Sequence, residues 1–61
     1  MLEYIKTILV KVSFDRMLFE KELRKALSLL VTEELTELKN WCYSQFAGVY
    51  PVVLNRVFAS A

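Results

Sequence analysis

Cys42 is the strongest nucleophile in the chain and its single cysteine. Nucleophilic catalysis by a thiol needs a neighbouring base to remove the proton, and the usual base, histidine, is absent from the sequence. Cys42 stands four residues after Leu38 and four before Phe46, the spacing of side chains on one helix face. The pattern therefore predicts a thiol buried in the core, and we assign no catalytic residue.

Glu33, Glu34 and Glu37 form the densest group of carboxylates. They fall at the predicted start of a helix, where the helix dipole favours negative charge, so we interpret them as a solvated helix start. Without histidine or a second cysteine the usual zinc ligand sets are missing, and one glycine is too few for a phosphate-binding loop. The sequence thus predicts a protein that is not an enzyme and holds no metal ion or cofactor.

The charges are nearly balanced, with 8 basic and 7 acidic side chains and a net charge of +1. Such a chain exerts no long-range attraction on nucleic acid. The second and third predicted helices have the outline of a helix-turn-helix, but the acidic start of the third would be repelled by DNA phosphates. We therefore predict no nucleic-acid partner. The single cysteine and the lack of an apolar run of about 20 residues favour a cytoplasmic location.

Helical periodicity, interrupted by a few helix-capping and helix-breaking residues, divides the chain into four segments. We predict an all-α fold, a compact bundle of three to four short helices at about residues 2–12, 16–30, 33–47 and 51–58, in a single helical domain over residues 1–61. The alternative for residues 2–12 is a β-strand, because residues 7–12 are rich in β-branched side chains. Its one possible pairing partner, residues 49–54, contains Pro51, which disfavours the strand.

The helix boundaries have recognisable residues. Asp15 is the expected N-cap of the second helix, and Phe14 and Phe19 flank it as a hydrophobic staple would. Thr32 is the expected N-cap of the third helix. Gly48 follows that helix at the position where a residue in the left-handed conformation often ends one.

Each predicted helix has one apolar face, which we expect to be buried. The second and third helices are expected to form a central hairpin, with the first and fourth packed across it. The four faces comprise Leu2, Ile5, Ile8, Leu9 and Val12; Phe19, Leu23, Ala26, Leu27 and Leu30; Leu35, Leu38, Cys42 and Phe46; and Val53, Leu54, Val57 and Phe58.

The remaining apolar side chains indicate a binding surface. Hydrophobic residues make up 56% of a chain so short that its core alone gives little net stability, which favours self-association. The candidate partner-binding residues lie at the edges of the core faces or beyond them, and they are Trp41, Tyr43, Leu18, Leu29 and Met17. Trp and Tyr are frequent anchors at interfaces, although here they could equally cover the joints between the chain's own helices.

The function predicted from these features is a small helical protein-interaction or regulatory module that forms a homo-oligomer, with a dimer favoured. One alternative is a membrane-surface peptide anchored by the amphipathic first helix, whose polar side carries Lys6 and Lys11. Another alternative is a structural subunit of a larger complex.

Overall fold

Four helices make up the computed structural model of the chain, which describes residues 1–59. Helix α1 spans Leu2–Lys11, α2 spans Arg16–Leu27, α3 spans Thr32–Phe46 and α4 spans Pro51–Ala59. Only helices, turns and short irregular connections occur within residues 1–59. The all-α prediction is therefore confirmed, and the first segment is a helix rather than a strand.

Helix α2 begins as the sequence predicts. The Asp15 carboxylate accepts hydrogen bonds from the backbone N–H groups of Met17 at 2.9 Å and Leu18 at 3.2 Å. The predicted staple is wrong, because Phe14 is 80% exposed whereas Phe19 is fully buried. The ring of Tyr50 lies 5.0 Å from that of Phe19 and supplies the aromatic contact instead.

Helix α2 ends three residues before the predicted boundary, at Leu27 rather than residue 30. The N–H of Ser28 donates to the carbonyl of Lys25 at 3.2 Å, and the Ser28 hydroxyl donates to the same oxygen at 2.8 Å. Bonds of this i to i−3 type tighten the last turn of a helix and satisfy its free carbonyls. The chain then turns so that Leu30 remains in the core.

Helix α3 begins one residue earlier than predicted, and Thr32 is its first residue rather than its cap. Val31 occupies the cap position, and its backbone N–H donates to the Glu34 carboxylate at 3.3 Å. A carboxylate three residues into the helix thus takes the capping role that the sequence assigned to the Thr32 hydroxyl.

The turn between α3 and α4 contains Gly48, and the predicted left-handed conformation is wrong: within residues 1–59, no residue has a positive φ angle. The N–H groups of Val49 and Tyr50 both donate to the Phe46 carbonyl, at 2.9 and 2.8 Å. This shared acceptor ends α3 without a left-handed residue. Open space surrounds the position that a Gly48 Cβ would take, with nothing within 4 Å.

The helices pack in a closed ring of contacts. Helix α1 packs on α2 and α3, and α4 packs on the same two helices, so that α2 and α3 lie diagonally opposite each other. The predicted central hairpin of α2 and α3 is therefore wrong. The apolar face of α4, with Val53, Leu54 and Val57 buried, occupies the place beside α2 that the hairpin would have given to α3.

The core consists of side chains from all four helices and the turn at Leu30. Every buried side chain belongs to one of the predicted apolar faces: Ile5, Leu9, Phe19, Leu23, Ala26, Leu30, Leu38, Cys42, Phe46, Val53, Leu54 and Val57. The radius of gyration is 10.2 Å, close to the ~10.5 Å expected of a compact chain of this length.

One polar contact joins the two turns at the same end of the bundle. The Tyr50 hydroxyl donates to the backbone carbonyl of Ser13 at 2.5 Å, while its ring packs on Phe19. The residues are 37 positions apart, so the bond holds the α1–α2 turn against the α3–α4 turn.

We predict that Gly48→Ala stabilises the protein. The backbone conformation suits an L-residue and the Cβ meets no atom, so the gain comes from the smaller entropy of the unfolded chain, about 0.4–1 kcal/mol. Urea denaturation monitored by circular dichroism measures it. The matched control is Ala47→Gly, which is expected to lower stability by a similar amount because Ala47 has helical angles. A loss of stability in Gly48→Ala would contradict the described turn.

We predict that Tyr50→Phe lowers the free energy of unfolding by about 0.5–1.5 kcal/mol, because it removes one partly buried hydrogen bond and keeps the ring. Thermal unfolding measures the change. Tyr4→Phe is the control, since Tyr4 is 65% exposed. Equal effects of the two substitutions would show that the Ser13 contact contributes nothing.

Candidate functional site

A groove of about 230 Å³ runs between α1 and α2. On the α1 side its wall includes Met1, Tyr4 and Ile8, and on the α2 side it includes Glu22, Lys25 and Leu29; these six residues define the α1–α2 groove. Its floor is formed by core residues. The groove is open to solvent, with Met1 68% exposed, Tyr4 65% and Leu29 56%. It is a mainly apolar surface with one acid and one base at its edge.

The α1 wall of this groove is the part of the helix that the core leaves uncovered. The core takes Ile5 and Leu9, and Leu2 and Val12 pack against it. Tyr4 and Ile8, one helical turn apart, remain beside the groove. Of the apolar face that the membrane alternative assigned to lipid, Ile5 and Leu9 are buried in the core and Ile8 borders the groove.

Trp41 covers the joint between α3 and α1. Its half-buried ring packs edge-on against Phe46, with the centroids 5.5 Å apart, and the Lys6 ammonium lies 5.7 Å from the indole centroid. Lys6 also pairs with Glu3 at 3.3 Å. A cation over an indole contributes about 0.5–1 kcal/mol at an exposed site. Trp41 therefore has intramolecular partners on its own helix and on α1.

Tyr43 covers the joint between α3 and α4. Its hydroxyl donates to the Asn55 side-chain oxygen at 2.6 Å, and its ring centroid lies 6.1 Å from that of Phe58. The side chain is half-buried. The structure thus gives both flank aromatics of α3 a place between helices.

The three other candidate residues lie on α2 or directly after it and are exposed. Leu29 lines the α1–α2 groove, and Leu18 is 39% exposed one turn before Glu22. Met17 is 76% exposed beside Glu20, Lys21 and Arg24, on a different side of the helix. Leu18 and Leu29 therefore share a side of α2, whereas Met17, Trp41 and Tyr43 lie elsewhere.

Cys42 is fully buried, as predicted. Desolvation raises the pKa of its thiol to about 12, with a smaller opposing effect of the Lys6 charge. A thiol with this pKa is almost entirely protonated at neutral pH and is a poor nucleophile. Of the acidic group on α3, Glu33 and Glu37 are exposed, and Glu34 caps the helix through Val31.

An ion cluster lies on the side of α2 that faces away from the groove, and the sequence predicted only part of it. The predicted pair of Glu20 and Arg24 is present at 2.9 Å. Arg56 of α4 joins it, with its Nη2 atom 2.7 Å from the Glu20 carboxylate. Hydrogen bonds from Arg56 and then Arg24 lower the pKa of the Glu20 carboxyl. No local pattern reveals the Arg56 contact, because it depends on α4 lying beside α2.

Comparison of the chain with protein-family models, curated proteins and solved structures finds no match. Within residues 1–59 no group of three or more Cys, Asp or Glu side chains is arranged to hold a metal ion. None of the helices described here has both the length and the apolar character needed to cross a membrane.

We predict that the native Cys42 thiol reacts with an aromatic disulfide reagent at pH 8 at least ~100-fold more slowly than the urea-unfolded chain, because the thiolate is scarce and the sulfur is buried. The absorbance of the released thiolate measures the rate. A Ser44→Cys variant is the control, since residue 44 is exposed on the same helix and its thiol should react rapidly. Rapid modification of the native wild-type chain would contradict the burial of Cys42.

Proposed function

We propose that the chain is a non-enzymatic helical interaction module that binds protein through the α1–α2 groove and self-associates there. The observation that carries the proposal is the groove itself. It combines exposed apolar side chains of two helices, Tyr4 and Leu29 foremost, with one acidic and one basic side chain at the edge. Large, partly exposed aromatic and aliphatic groups around a groove are typical anchors of protein interfaces.

The fold does not require the groove to be covered by a partner. The accessible area of 4010 Å² agrees with the ~4100 Å² expected of a compact monomer of this mass. The core is therefore closed within one copy, and a partner would cover Tyr4, Leu29 and Met1 without completing the core. We accordingly propose an association between folded copies rather than one in which folding and assembly are inseparable.

The proposed surface revises the residues that the sequence suggested. Leu29 stays within it, Leu18 extends its α2 side by position, and Tyr4 joins them from α1. Trp41 and Tyr43 pack at the joints of α3 with α1 and α4. Met17 of α2 lies outside the groove. The proposal includes a cytoplasmic location, which suits a chain whose single cysteine is buried and reduced.

We predict that the wild-type chain dimerises in the micromolar range and that Leu29→Glu weakens the dimer at least about tenfold, because a carboxylate would have to be desolvated in the groove. Sedimentation equilibrium over a dilution series measures the dissociation constant. Circular dichroism checks that the variant keeps its helices, which is expected because Leu29 is 56% exposed.

The matched control is Val52→Glu. Val52 is an equally apolar, 68% exposed residue on α4, away from the groove, and its substitution should leave the dimer unchanged. A wild-type chain that remains monomeric at about 100 μM would overturn self-association. Equal weakening by both substitutions would place the contact elsewhere on the molecule.

A further inference from the structure

One side of α2 carries four residues whose spacing is the same in both directions, with leucine at each end and opposite charges at the two central positions. Leu18, Glu22, Lys25 and Leu29, here named the α2 stripe, are separated by four, three and four residues. At 100° per residue the four positions fall within an arc of about 60° on one side of the helix. Spacings of four and three residues are those of the contact positions in paired helices. The α2 stripe thus has the form of a short helix-pairing surface with apolar ends and a charged centre.

The α2 stripe extends two residues beyond the end of the helix. Helix α2 ends at Leu27, but Ser28 keeps right-handed helical angles, and the N–H of Leu29 donates to the carbonyl of Ala26 at 3.0 Å. Leu29 therefore continues the α2 surface, and it lines the groove together with Glu22 and Lys25.

The charged centre of the stripe is available to a partner. Within residues 1–59, the ion pairs are Lys6 with Glu3, Glu20 with Arg24 and Glu20 with Arg56. Neither Glu22 nor Lys25 takes part in an ion pair within these residues. Lys25 is exposed and Glu22 is half-buried at the groove wall. The stripe therefore presents two opposite charges, one helical turn apart, that a docked partner could pair.

We infer that the occupant of the groove is a second copy of this chain, docked with its α2 antiparallel to the first about a two-fold axis that passes midway between Glu22 and Lys25. This inference rests on the proposed function, since it specifies the partner and its register. Under that symmetry Glu22 of each copy lies opposite Lys25 of the other. Leu18 of each copy lies opposite Leu29 of the other.

The helix geometry supports this register. Residues 18 and 29 are equally far from the midpoint of the stripe, about 8 Å along the axis, and residues 22 and 25 are each about 2 Å from it. Only an antiparallel arrangement pairs the unlike charges and the two leucines at once. A parallel, in-register arrangement would place Glu22 opposite Glu22 and Lys25 opposite Lys25.

The pattern favours a second copy over an unrelated helix. An isologous interface requires that residue i contact residue j while j contacts i, and the α2 stripe meets this condition with itself. An unrelated partner needs no such internal symmetry. A polar pair at the centre of an apolar contact lowers affinity but fixes register and orientation, as polar groups do in coiled coils.

The experiment uses charge reversal in the full chain. In a dimer of Glu22→Lys, position 22 of each copy would face Lys25 of the other, and in a dimer of Lys25→Glu, position 25 would face Glu22. Each variant alone should therefore dimerise at least about tenfold more weakly than wild type, because like charges would meet.

Recombining the two reversals should restore the dimer. The heterodimer in an equimolar mixture of the two variants recovers both pairs of unlike charges, because one copy is then positive at positions 22 and 25 and the other is negative at both. The double variant E22K/K25E recovers both pairs within a homodimer. The double variant should return to within about threefold of the wild-type dissociation constant, and the mixture should form heterodimers in preference to either homodimer. Sedimentation equilibrium with one variant carrying a fluorophore measures both.

A second pair of substitutions, at the ends of the stripe, tests the same register if a charge-reversal variant does not fold. Leu18→Glu and Leu29→Lys change exposed positions, and each alone should weaken the dimer. In their mixture the introduced carboxylate at position 18 of one chain meets the introduced ammonium at position 29 of the other. Heterodimers should then form in preference to either homodimer.

The outcomes separate the two proposals. Dimerisation of wild type with no effect of either reversal, or weakening without recovery on recombination, would overturn the antiparallel register and leave the proposed self-association standing. Such a result would indicate that the groove receives another surface of the second copy. A monomeric wild type would overturn both, and an unrelated protein partner would then be the candidate occupant.

Discussion

The contact of Phe19 with Phe46 and Tyr50 holds together parts of the molecule that are not otherwise neighbours. Phe19 is fully buried in α2, and its ring centroid lies 4.8 Å from that of Phe46 at the end of α3 and 5.0 Å from that of Tyr50. Helices of 9–15 residues are marginal in isolation, so such long-range contacts decide whether they persist. Because α2 and α3 are diagonal in the bundle, this aromatic group, rather than a hairpin, connects them. The same contact helps to hold α2, which forms one wall of the groove, together with the packing of α2 on α1 and α4.

The residues of the core could be predicted from the sequence, but the arrangement of the helices could not. Burial follows from the periodicity of apolar side chains along one helix, which is local information, so Leu23 and Leu38 were identifiable on sight. The pairing of helices depends on which faces meet in space. The apolar face of α4 competes with α3 for the place beside α2, and nothing in the period of either helix reveals which one occupies it. The Glu20–Arg56 contact escaped prediction for the same reason.

The errors at helix ends have a common physical origin. Asp15 was predictable because an N-cap carboxylate acts within three residues of itself. Phe14, Ser28 and Gly48 were not, because several local arrangements satisfy the same backbone groups. The Ser28 hydroxyl and the shared carbonyl at the end of α3 both end a helix without a left-handed residue, and Tyr50 covers the buried ring of α2 in place of Phe14. The local sequence indicates where a turn can form, whereas tertiary packing determines which turn conformation the chain adopts.

The α1–α2 groove could be predicted from the sequence only in part, and the part that was missed explains why aromatic residues are poor guides to a small protein's surface. Leu29 was recognisable at the edge of an apolar face. Trp41 and Tyr43 attracted attention as typical anchors, yet a bundle of four short helices has several joints and few large side chains to fill them. A half-buried aromatic side chain suits such a joint, because its ring packs against neighbouring side chains while it also contacts a polar group. Lys6 of α1 lies over the Trp41 ring, and Asn55 of α4 accepts a hydrogen bond from the Tyr43 hydroxyl. In this chain Trp41 and Tyr43 lie between helices, and the α1–α2 groove carries leucine, methionine and the exposed Tyr4. In the proposed dimer we expect specificity to come from charge placement, and the glutamate and lysine at the centre of the α2 stripe are the charges in position to provide it.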